Sequence, residues 1–416
     1  RSRMKKRILV RGPVLSQSGY GEQARFALRA LRSKEEFLDI YVIPITWGKT
    51  GWIWEDTEFR TWMDEKITLT QVLIHKKQLQ ADISLQITIP NEFEKICKTN
   101  IGYTAGIETN KVAPIWLQKG NDMDKILVVS NHAKTTYENT TTMATNNQTG
   151  EQVKYKLQTP IHVVHECTVR SEPEPIENFD LTTDFNFLTI SQFSPRKNFH
   201  NTIKWWIEEF IDQNVGLIVK TNLANNSQMD WFASNNMLKQ ILEEYPDRKC
   251  KIYLLHGDLS SGQMTWLYNN DKIKSLINIS HGEGFGLPMF EAAREGLPII
   301  TVGWSGQTDF LHYNGKKYFE DVKFNLQQVQ KEAVWDGVIQ QDSGWAFADQ
   351  GSYKMALRKT YKNHDKSLKR ASKLKTLLNE NFNEQKLYDG FVEQIVPLQE
   401  MKKIDAEIDD LLSDLL

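Results

Sequence analysis

The run Ile277-Asn278-Ile279-Ser280-His281-Gly282-Glu283-Gly284-Phe285-Gly286-Leu287-Pro288, continued by Glu291 and by Gly296-Leu297-Pro298-Ile299-Ile300, decides how this chain folds. It reads as a buried strand, a glycine-rich loop, a helix and a second buried strand. Pro288 falls where a first helical residue is expected, because the first turn leaves its amide hydrogens unpaired and proline has none. The amides at such a helix start, reinforced by the helix dipole, form an anion site matched to a diphosphate. The glycines let the backbone approach a ligand closely. Glu283, in the loop, and Glu291, expected in the first helical turn, stand eight positions apart and are expected to face one crevice. Carboxylates accept hydrogen bonds from paired hydroxyls such as those of a hexose or a ribose. A glycine turn followed by an acidic helix start is also a common stabilising pattern. It is the whole combination, in its strand-loop-helix context, that favours a binding site.

Working outward, apolar runs mark further strands at 187–191, 216–220 and 251–255, with helical stretches at 201–211, 229–245 and 261–269. Towards the N-terminus a second series appears, with strands at 7–10, 40–45, 83–87, 100–105, 125–130 and 161–164. The loop Gly19-Tyr20-Gly21 leads into a helix at 22–31. Alternation of this kind argues for mainly parallel sheets covered by helices on both faces. The expected architecture is α/β: two Rossmann-like domains with a cleft between them. The boundaries read as an N-terminal domain at 1–168, a linker at 169–183 carrying Pro173 and Pro175, a C-terminal domain at 184–385, and terminal helices at 386–416. Two stretches interrupt the pattern. Residues 47–62 hold Trp47, Trp52, Trp54 and Trp62, which read either as a stacking surface for a sugar or base or as a satellite apolar cluster. Residues 138–151 read as a loop or a two-stranded excursion. The tail from 398 is amphipathic, with Ile404, Ile408, Leu411 and Leu415 at helical steps, and is expected to pack back on the body or to join a second copy.

The Glu283–Glu291 segment resembles the E-x7-E signature of the retaining family-four glycosyltransferases, which are two-domain enzymes of the GT-B type. The likeness covers roughly 187–311 and is weak over the N-terminal half, where it rests on the Gly19-Tyr20-Gly21 loop. It implies that Glu283 contacts the transferred sugar and Glu291 the ribose of a nucleoside-diphosphate-sugar donor. Gly284 and the amides of Phe285, Gly286 and Leu287 would contact sugar and phosphate. It also points to Arg196, Lys197 and Asn198, since members of the family hold the diphosphate with basic residues after a strand. Lys197 matches that pattern. Gln192 stands where the usual arginine would be, and Arg196 or Lys220 is expected to replace it. A histidine usual after an N-terminal strand is replaced by Gly106, with Glu108 and Thr109 as the nearby candidates. The expected catalytic set is Glu283, Lys197 and Glu108, with Gly19 and Gly21 also placed at the donor. The implied reaction transfers a hexosyl or pentosyl group with retention. Neither cofactor nor metal is expected, and the acceptor is left open among glycan, lipid-linked, protein and nucleic-acid hydroxyls. A non-catalytic sugar-nucleotide-binding subunit and a sugar-nucleotide epimerase are the competing readings.

Composition narrows the field. The chain has 416 residues, 40% of them apolar and 25% charged, with a net charge of −2. Nothing in that balance calls for nucleic acid or an anionic membrane. Three scattered cysteines give neither a disulfide framework nor zinc spacing, which fits a reducing, cytoplasmic setting. No apolar run is long enough to span a bilayer, and no signal-peptide core is evident. Asp122-Met123-Asp124 superficially matches a metal-binding D-x-D pattern but reads as a helix-to-strand turn.

Overall fold

The structure, a computed structural model, describes residues 5–48, 50–53, 57–221 and 227–415. Trp54 lies outside the described residues. The chain divides into two compact units. The first runs up to Gly106, resumes over Val112–Cys167 and takes in the chain from Asn383 onward. The second comprises Ile107–Lys111 and Thr168–Phe382.

In the first unit, β1 (Lys6–Gly12) is followed by α1 (Gly19–Arg32), β2 (Leu38–Pro44), α2 (Glu58–His75), β3 (Ile83–Ile87) and β4 (Thr99–Thr104). Then come α3 (Pro114–Asn121), β5 (Lys125–Val128), α4 (Asn131–Asn139), a hairpin of β6 (Thr141–Thr145) and β7 (Gln152–Lys156), and β8 (Ile161–Val163). The hairpin is the two-stranded form of the excursion expected near 138–151. The sheet order is β2-β1-β3-β4-β5-β8, with every pairing parallel.

The second unit repeats the theme with β9 (Asn186–Ile190), α5 (Phe199–Phe210), β10 (Gly216–Thr221), α6 (Gln228–Glu243) and β11 (Lys251–His256). It continues through α7 (Ser261–Tyr268), β12 (Ile273–Asn278), α8 (Leu287–Arg294), β13 (Ile299–Val302) and α9 (Thr308–Leu311). Beyond these lie a short hairpin, β14 (His312–Tyr313) with β15 (Lys316–Lys317), then β16 (Glu320–Val322). A longer hairpin, β17 (Phe324–Gln328) with β18 (Gly344–Ala348), precedes α10 (Gln350–Lys362) and α11 (His364–Asn381). The order is β11-β10-β9-β12-β13-β16, again parallel throughout. The sequence pattern ends this series at β13. The last strand, β16, is Glu320-Asp321-Val322 and carries no apolar run by which to recognise it.

Strands covered on both faces must be apolar along their length, and Leu217, Ile218 and Val219 of β10 are fully buried. Phe199, Ile203, Trp206, Ile207 and Phe210 lie at helical spacing on α5 and form its buried face. They pack with Phe187, Val219, Tyr353 and Leu357 in one core. The stretch expected as a linker packs on the second unit. Arg170 pairs with Glu295 at 3.0 Å, and the Glu174 amide donates to the Gly262 carbonyl at 2.9 Å. The chain ends on the first unit with α12 (Glu384–Ile395) and α13 (Leu398–Ser413). Tyr388 and Phe391 of α12 lie 5.6 Å, ring to ring, from Phe26 of α1. On α13, Met401 and Ile404 are buried while Leu411 and Leu415 are exposed, so only its first half packs back.

In each unit the sheet grows first to one side of its first strand and then to the other: β2 and β3 flank β1, and β10 and β12 flank β9. Connections that leave in opposite directions open a crevice at the carboxyl ends of those strands, where open α/β sheets bind ligands.

Candidate functional site

The crevice of the second unit is made by the loops after β9 and β12. After β9 a single turn, Pro195–Lys197, ends at Asn198 in the left-handed region (φ 52°), from which α5 departs. Asparagine tolerates that backbone better than most residues. The turn is tied to the backbone of the other loop by three bonds. The His281 amide donates to the Arg196 carbonyl at 2.8 Å, Asn198 Nδ2 to the Ile279 carbonyl at 3.1 Å, and Arg196 Nη1 to the Gly282 carbonyl at 2.8 Å.

Glu283 is the centre of this arrangement and is buried. Its Oε1 accepts from Lys197 Nζ at 2.8 Å, Ser280 Oγ at 2.9 Å and Asn278 Nδ2 at 3.2 Å; its Oε2 accepts from Arg196 Nη1 at 3.2 Å. Burial alone would raise this carboxyl, but Lys197 and Arg196 overcome it and hold the group well below the usual carboxylate range. Burial and the neighbouring Arg196 lower the Lys197 ammonium, against the pull of Glu283. Glu108 reaches the same place from residues 107–111, with Oε1 3.9 Å from Arg196 Nε. Burial raises the Glu108 carboxyl, Arg196 opposes that, and Glu283 adds to it. A Cβ on Gly282 would sit 1.9 Å from the Glu108 carbonyl oxygen, so only glycine lets the two backbones meet.

Four residues singled out in the sequence, Glu283, Lys197, Arg196 and Glu108, therefore converge. Gly286 caps α8 in the left-handed region (φ 94°), a conformation that suits glycine. Phe285 turns its ring into an apolar cluster, 5.1 Å from Phe310. In the first turn of α8 the Leu287 and Met289 amides have no acceptor within their own helix, while Pro288 has no amide hydrogen and the Phe290 amide donates to the Gly286 carbonyl at 3.0 Å. Because α8 begins at Leu287, Glu291 is its fifth residue rather than part of the first turn. It is partly buried and close enough to Tyr268 to act on that hydroxyl. Lys220, next to last in β10, bonds to the Gly257 carbonyl in the loop after β11. Gly19 and Gly21 belong to the first unit and open α1, where Ser18 caps the helix by accepting from the Gly21 amide. Asp124 accepts from the Asn100 amide at 2.7 Å and Asp122 ends α3, which is the turn role expected of that pair. Among the described residues no cluster of His, Cys, Asp and Glu is placed to hold a metal, and no helix is long and apolar enough to cross a membrane.

Sequence reasoning missed the buttress behind the loop. The Glu283 amide donates to Ser305 Oγ at 2.9 Å, and Ser305 itself is left-handed (φ 78°). The Gly306 amide donates to the Glu283 carbonyl at 2.8 Å, and a Cβ at Gly306 would strike the Gly284 carbonyl at 2.0 Å. Gln307 Nε2 bonds back to the Val302 carbonyl at 3.0 Å. The signal available was Gly303-Trp304-Ser305-Gly306-Gln307 directly after a strand. His281 was also passed over. Its Nδ1 lies 2.7 Å from the Ala346 carbonyl and its Nε2 3.0 Å from Gln330 Nε2, so the ring is neutral, donating through Nδ1 and accepting at Nε2. Burial lowers its pKa, in keeping with that state.

No family profile matches the sequence, and no curated protein matches it. Solved structures do resemble it. Sucrose-phosphate synthase from Thermosynechococcus elongatus superposes with a TM-score of 0.61 at 11% identity, covering 94% of this chain and 98% of that one. A glycosyltransferase from Rickettsia africae gives 0.58 at 12% identity, over 96% and 98%. Anabaena HepE, solved in complex with UDP and glucose, gives 0.55 at 12%, over 94% and 99%. At such identities the likeness is one of fold. The chain has the GT-B fold, with two Rossmann-like parallel-sheet domains.

Proposed function

We propose that this protein is a glycosyltransferase that moves a hexosyl or pentosyl group from a nucleoside-diphosphate sugar to an acceptor hydroxyl, with retention at the anomeric carbon and without a metal ion. The observation that carries the reading is the Glu283 carboxylate, buried and held by Lys197 and Arg196 beside the start of α8. Two fixed cations and a helix start supply the positive charge that a departing diphosphate requires, already oriented before the reaction. Glu283 keeps those cations in place and offers acceptor oxygens to sugar hydroxyls. The bond between the anomeric carbon and the phosphate oxygen breaks as the acceptor oxygen attacks from the same side. The acceptor proton passes to the leaving phosphate. Glu291, farther along α8, is assigned to the ribose.

The test is a melting-temperature screen with nucleoside diphosphates and their sugars, followed by a turnover assay on the sugars that bind. A bound ligand raises the melting temperature in proportion to the logarithm of its excess over Kd. Stabilisation by a nucleoside-diphosphate sugar, with transfer or slow hydrolysis in which the anomeric configuration is kept, is the expected result. Binding without any turnover would favour a sugar-nucleotide-binding subunit, and activity abolished by a chelator and restored by magnesium would overturn the metal-free scheme.

A further inference from the structure

A two-stranded ribbon is marginal on its own in water, yet the β6–β7 hairpin of the first unit keeps a whole face uncovered. Its register sets Thr141 opposite Lys156, Met143 opposite Lys154 and Thr145 opposite Gln152. Side chains alternate along a strand, so these six share one face. All six are exposed, Met143 to 56%. On the other face Thr142, Ala144 and Tyr155 are half-buried. That face is anchored at the end of α3. Asn121 Nδ2 donates to Tyr155 Oη at 2.9 Å and to the Lys156 carbonyl at 3.0 Å, and its Oδ1 accepts from the Gln158 amide at 2.6 Å.

The tip is fixed as well. The Gly150 amide donates to the Asn146 carbonyl at 2.7 Å, with Gly150 left-handed (φ 72°), and the Gln148 amide donates to Asn146 Oδ1 at 2.9 Å. Gln152 Nε2 reaches across to Thr145 Oγ1 at 3.4 Å. Asn147, Gln148 and Thr149 are exposed around this turn. Between Asn139 and Pro160 the sequence holds one acid, Glu151, and two cations, Lys154 and Lys156. Neither lysine has an ion-pair partner among the described residues. The uncovered face is therefore preformed, rich in hydroxyl and amide groups, free of acids along its strands, and positive.

We propose that this ribbon is a docking surface for double-stranded DNA, laid with its uncovered face in the major groove. That groove, about 12 Å wide, admits a two-stranded ribbon, whose strands lie ~4.8 Å apart. Lysines hold phosphates, and Gln, Asn and Thr side chains reach base edges. Met143, between the lysines, meets the apolar methyl of thymine. The major groove of duplex RNA is too narrow for side chains to read. Single strands are held by stacking on aromatic rings, and this face has none, since Tyr155 turns inward to Asn121. An acidic protein would use the lysines and leave the amides and hydroxyls idle. The net charge of −2 confines the attraction to the ribbon, so binding is weak and sensitive to salt. The surface stands on the ribbon alone; joined to the transferase reading, it selects nucleic acid among the open acceptors.

Fluorescence anisotropy on the whole chain tests this, with a labelled DNA duplex of about 20 base pairs, from about 50 mM salt upward. The duplex binds, and the logarithm of its affinity falls linearly with that of the salt concentration. Replacing both lysines, Lys154→Ala with Lys156→Ala, weakens binding about tenfold or more at the lowest salt and flattens the slope by about 0.9 per lysine. Met143→Glu sets a like charge against the phosphates and also weakens binding. These side chains are exposed, so the melting temperature holds, and nucleoside diphosphates that stabilise the wild type stabilise each variant equally. Rival probes are a single strand of the same length and poly-L-glutamate; both displace the duplex poorly. The proposal is overturned if the duplex fails to bind at the lowest salt, if the substitutions leave affinity and slope unchanged, or if either rival displaces the labelled duplex as well as unlabelled duplex does. It is equally overturned if the wild type sediments as a dimer that the Met143→Glu variant dissolves, which would make the ribbon a contact between copies. Duplex binding without nucleoside-diphosphate binding would sink the transferase reading and leave the ribbon standing, and the opposite result would do the reverse.

Discussion

The two units place the same strand arrangement at their crevices and fill it with opposite chemistry. In the second unit the strand ends gather charge: Glu283 lies between Lys197 and Arg196, with Glu108 alongside. In the first unit the corresponding edge carries Trp47 against Tyr20, and the nearby guanidinium of Arg25 is bonded inward. The doubly wound sheet fixes where a ligand goes, and the loops decide what kind of ligand it is. Buried cations are expensive alone, and here Lys197 and Arg196 have Glu283 as counter-ion.

That difference makes Glu283→Gln the most damaging single change. Amide for carboxylate keeps the shape but strips Lys197 and Arg196 of their charged partner and, on the proposed reading, removes the charged acceptor facing the transferred sugar. Charged hydrogen bonds of this kind are worth ~1.5–3 kcal/mol. Contacts that strengthen towards the transition state appear in kcat, so turnover should fall roughly hundredfold, with a lower melting temperature. Steady-state kinetics on the folded variant decides. If kcat is unchanged, the charged cluster is structural and the contrast between the crevices loses its functional meaning.

The units should also answer pH with opposite sign. In the first unit Glu166 is buried; burial and Glu22 push its carboxyl up to about 8, against Arg29. The folded protein then keeps this proton up to about pH 8, whereas the unfolded chain loses it near the ordinary value of 4.5. Between those limits the folded state holds the extra proton, so this group makes stability fall as pH rises and level off above about 8. Glu283, held below its ordinary range, contributes stability that is fully present above that range and is lost only on acidification through its depressed pKa. Melting curves across pH for Glu166→Gln should lose the decline between about 4.5 and 8 and keep the acid-side loss. An unchanged decline would show that Glu166 is not its source.

The legible and illegible parts of the sequence divide along the same contrast. Buried parallel strands are rich in apolar residues, so β9, β10, β12 and β13 could be read directly, and the loop between β12 and α8 carries Gly282 because backbones meet there. Glu108 was recognisable only as a neighbour of Gly106, since its contact with Gly282 spans 174 positions that no local pattern connects. The buttress at Ser305 and Gly306 and the neutral His281 were hidden for the same reason: their partners are backbone atoms of distant loops. The tryptophans were visible as residues, but only burial distinguishes Trp62 from Trp47 and Trp52.

A smaller effect is expected at Glu291. On the proposed reading it sits at the ribose, which does not change during transfer, and so contributes equally to ground and transition states. Glu291→Ala should raise the donor KM about tenfold, one charged hydrogen bond's worth, while kcat stays near wild type. A fall in kcat matching that of Glu283→Gln would show that the two carboxylates share one role.

The smallest effect, and the one that most sharpens the comparison, concerns Gly19. In the second unit Gly282 and Gly306 are required by backbone oxygens within about 2 Å of any Cβ. Gly19 opens α1 with nothing within 4 Å of its Cβ position and without a positive φ. A glycine that the fold does not require is either incidental or kept so that a ligand can approach the backbone. Gly19→Ala restricts the unfolded chain without straining the native helix, which stabilises by ~0.4–1 kcal/mol. The melting temperature should therefore rise slightly on either account. Kinetics separates them. If Gly19 contacts a substrate, as its resemblance to a glycine-rich ligand loop implies, the more stable variant should show a several-fold higher KM for donor or acceptor. If both KM values stay at wild type while stability rises, Gly19 has no ligand role.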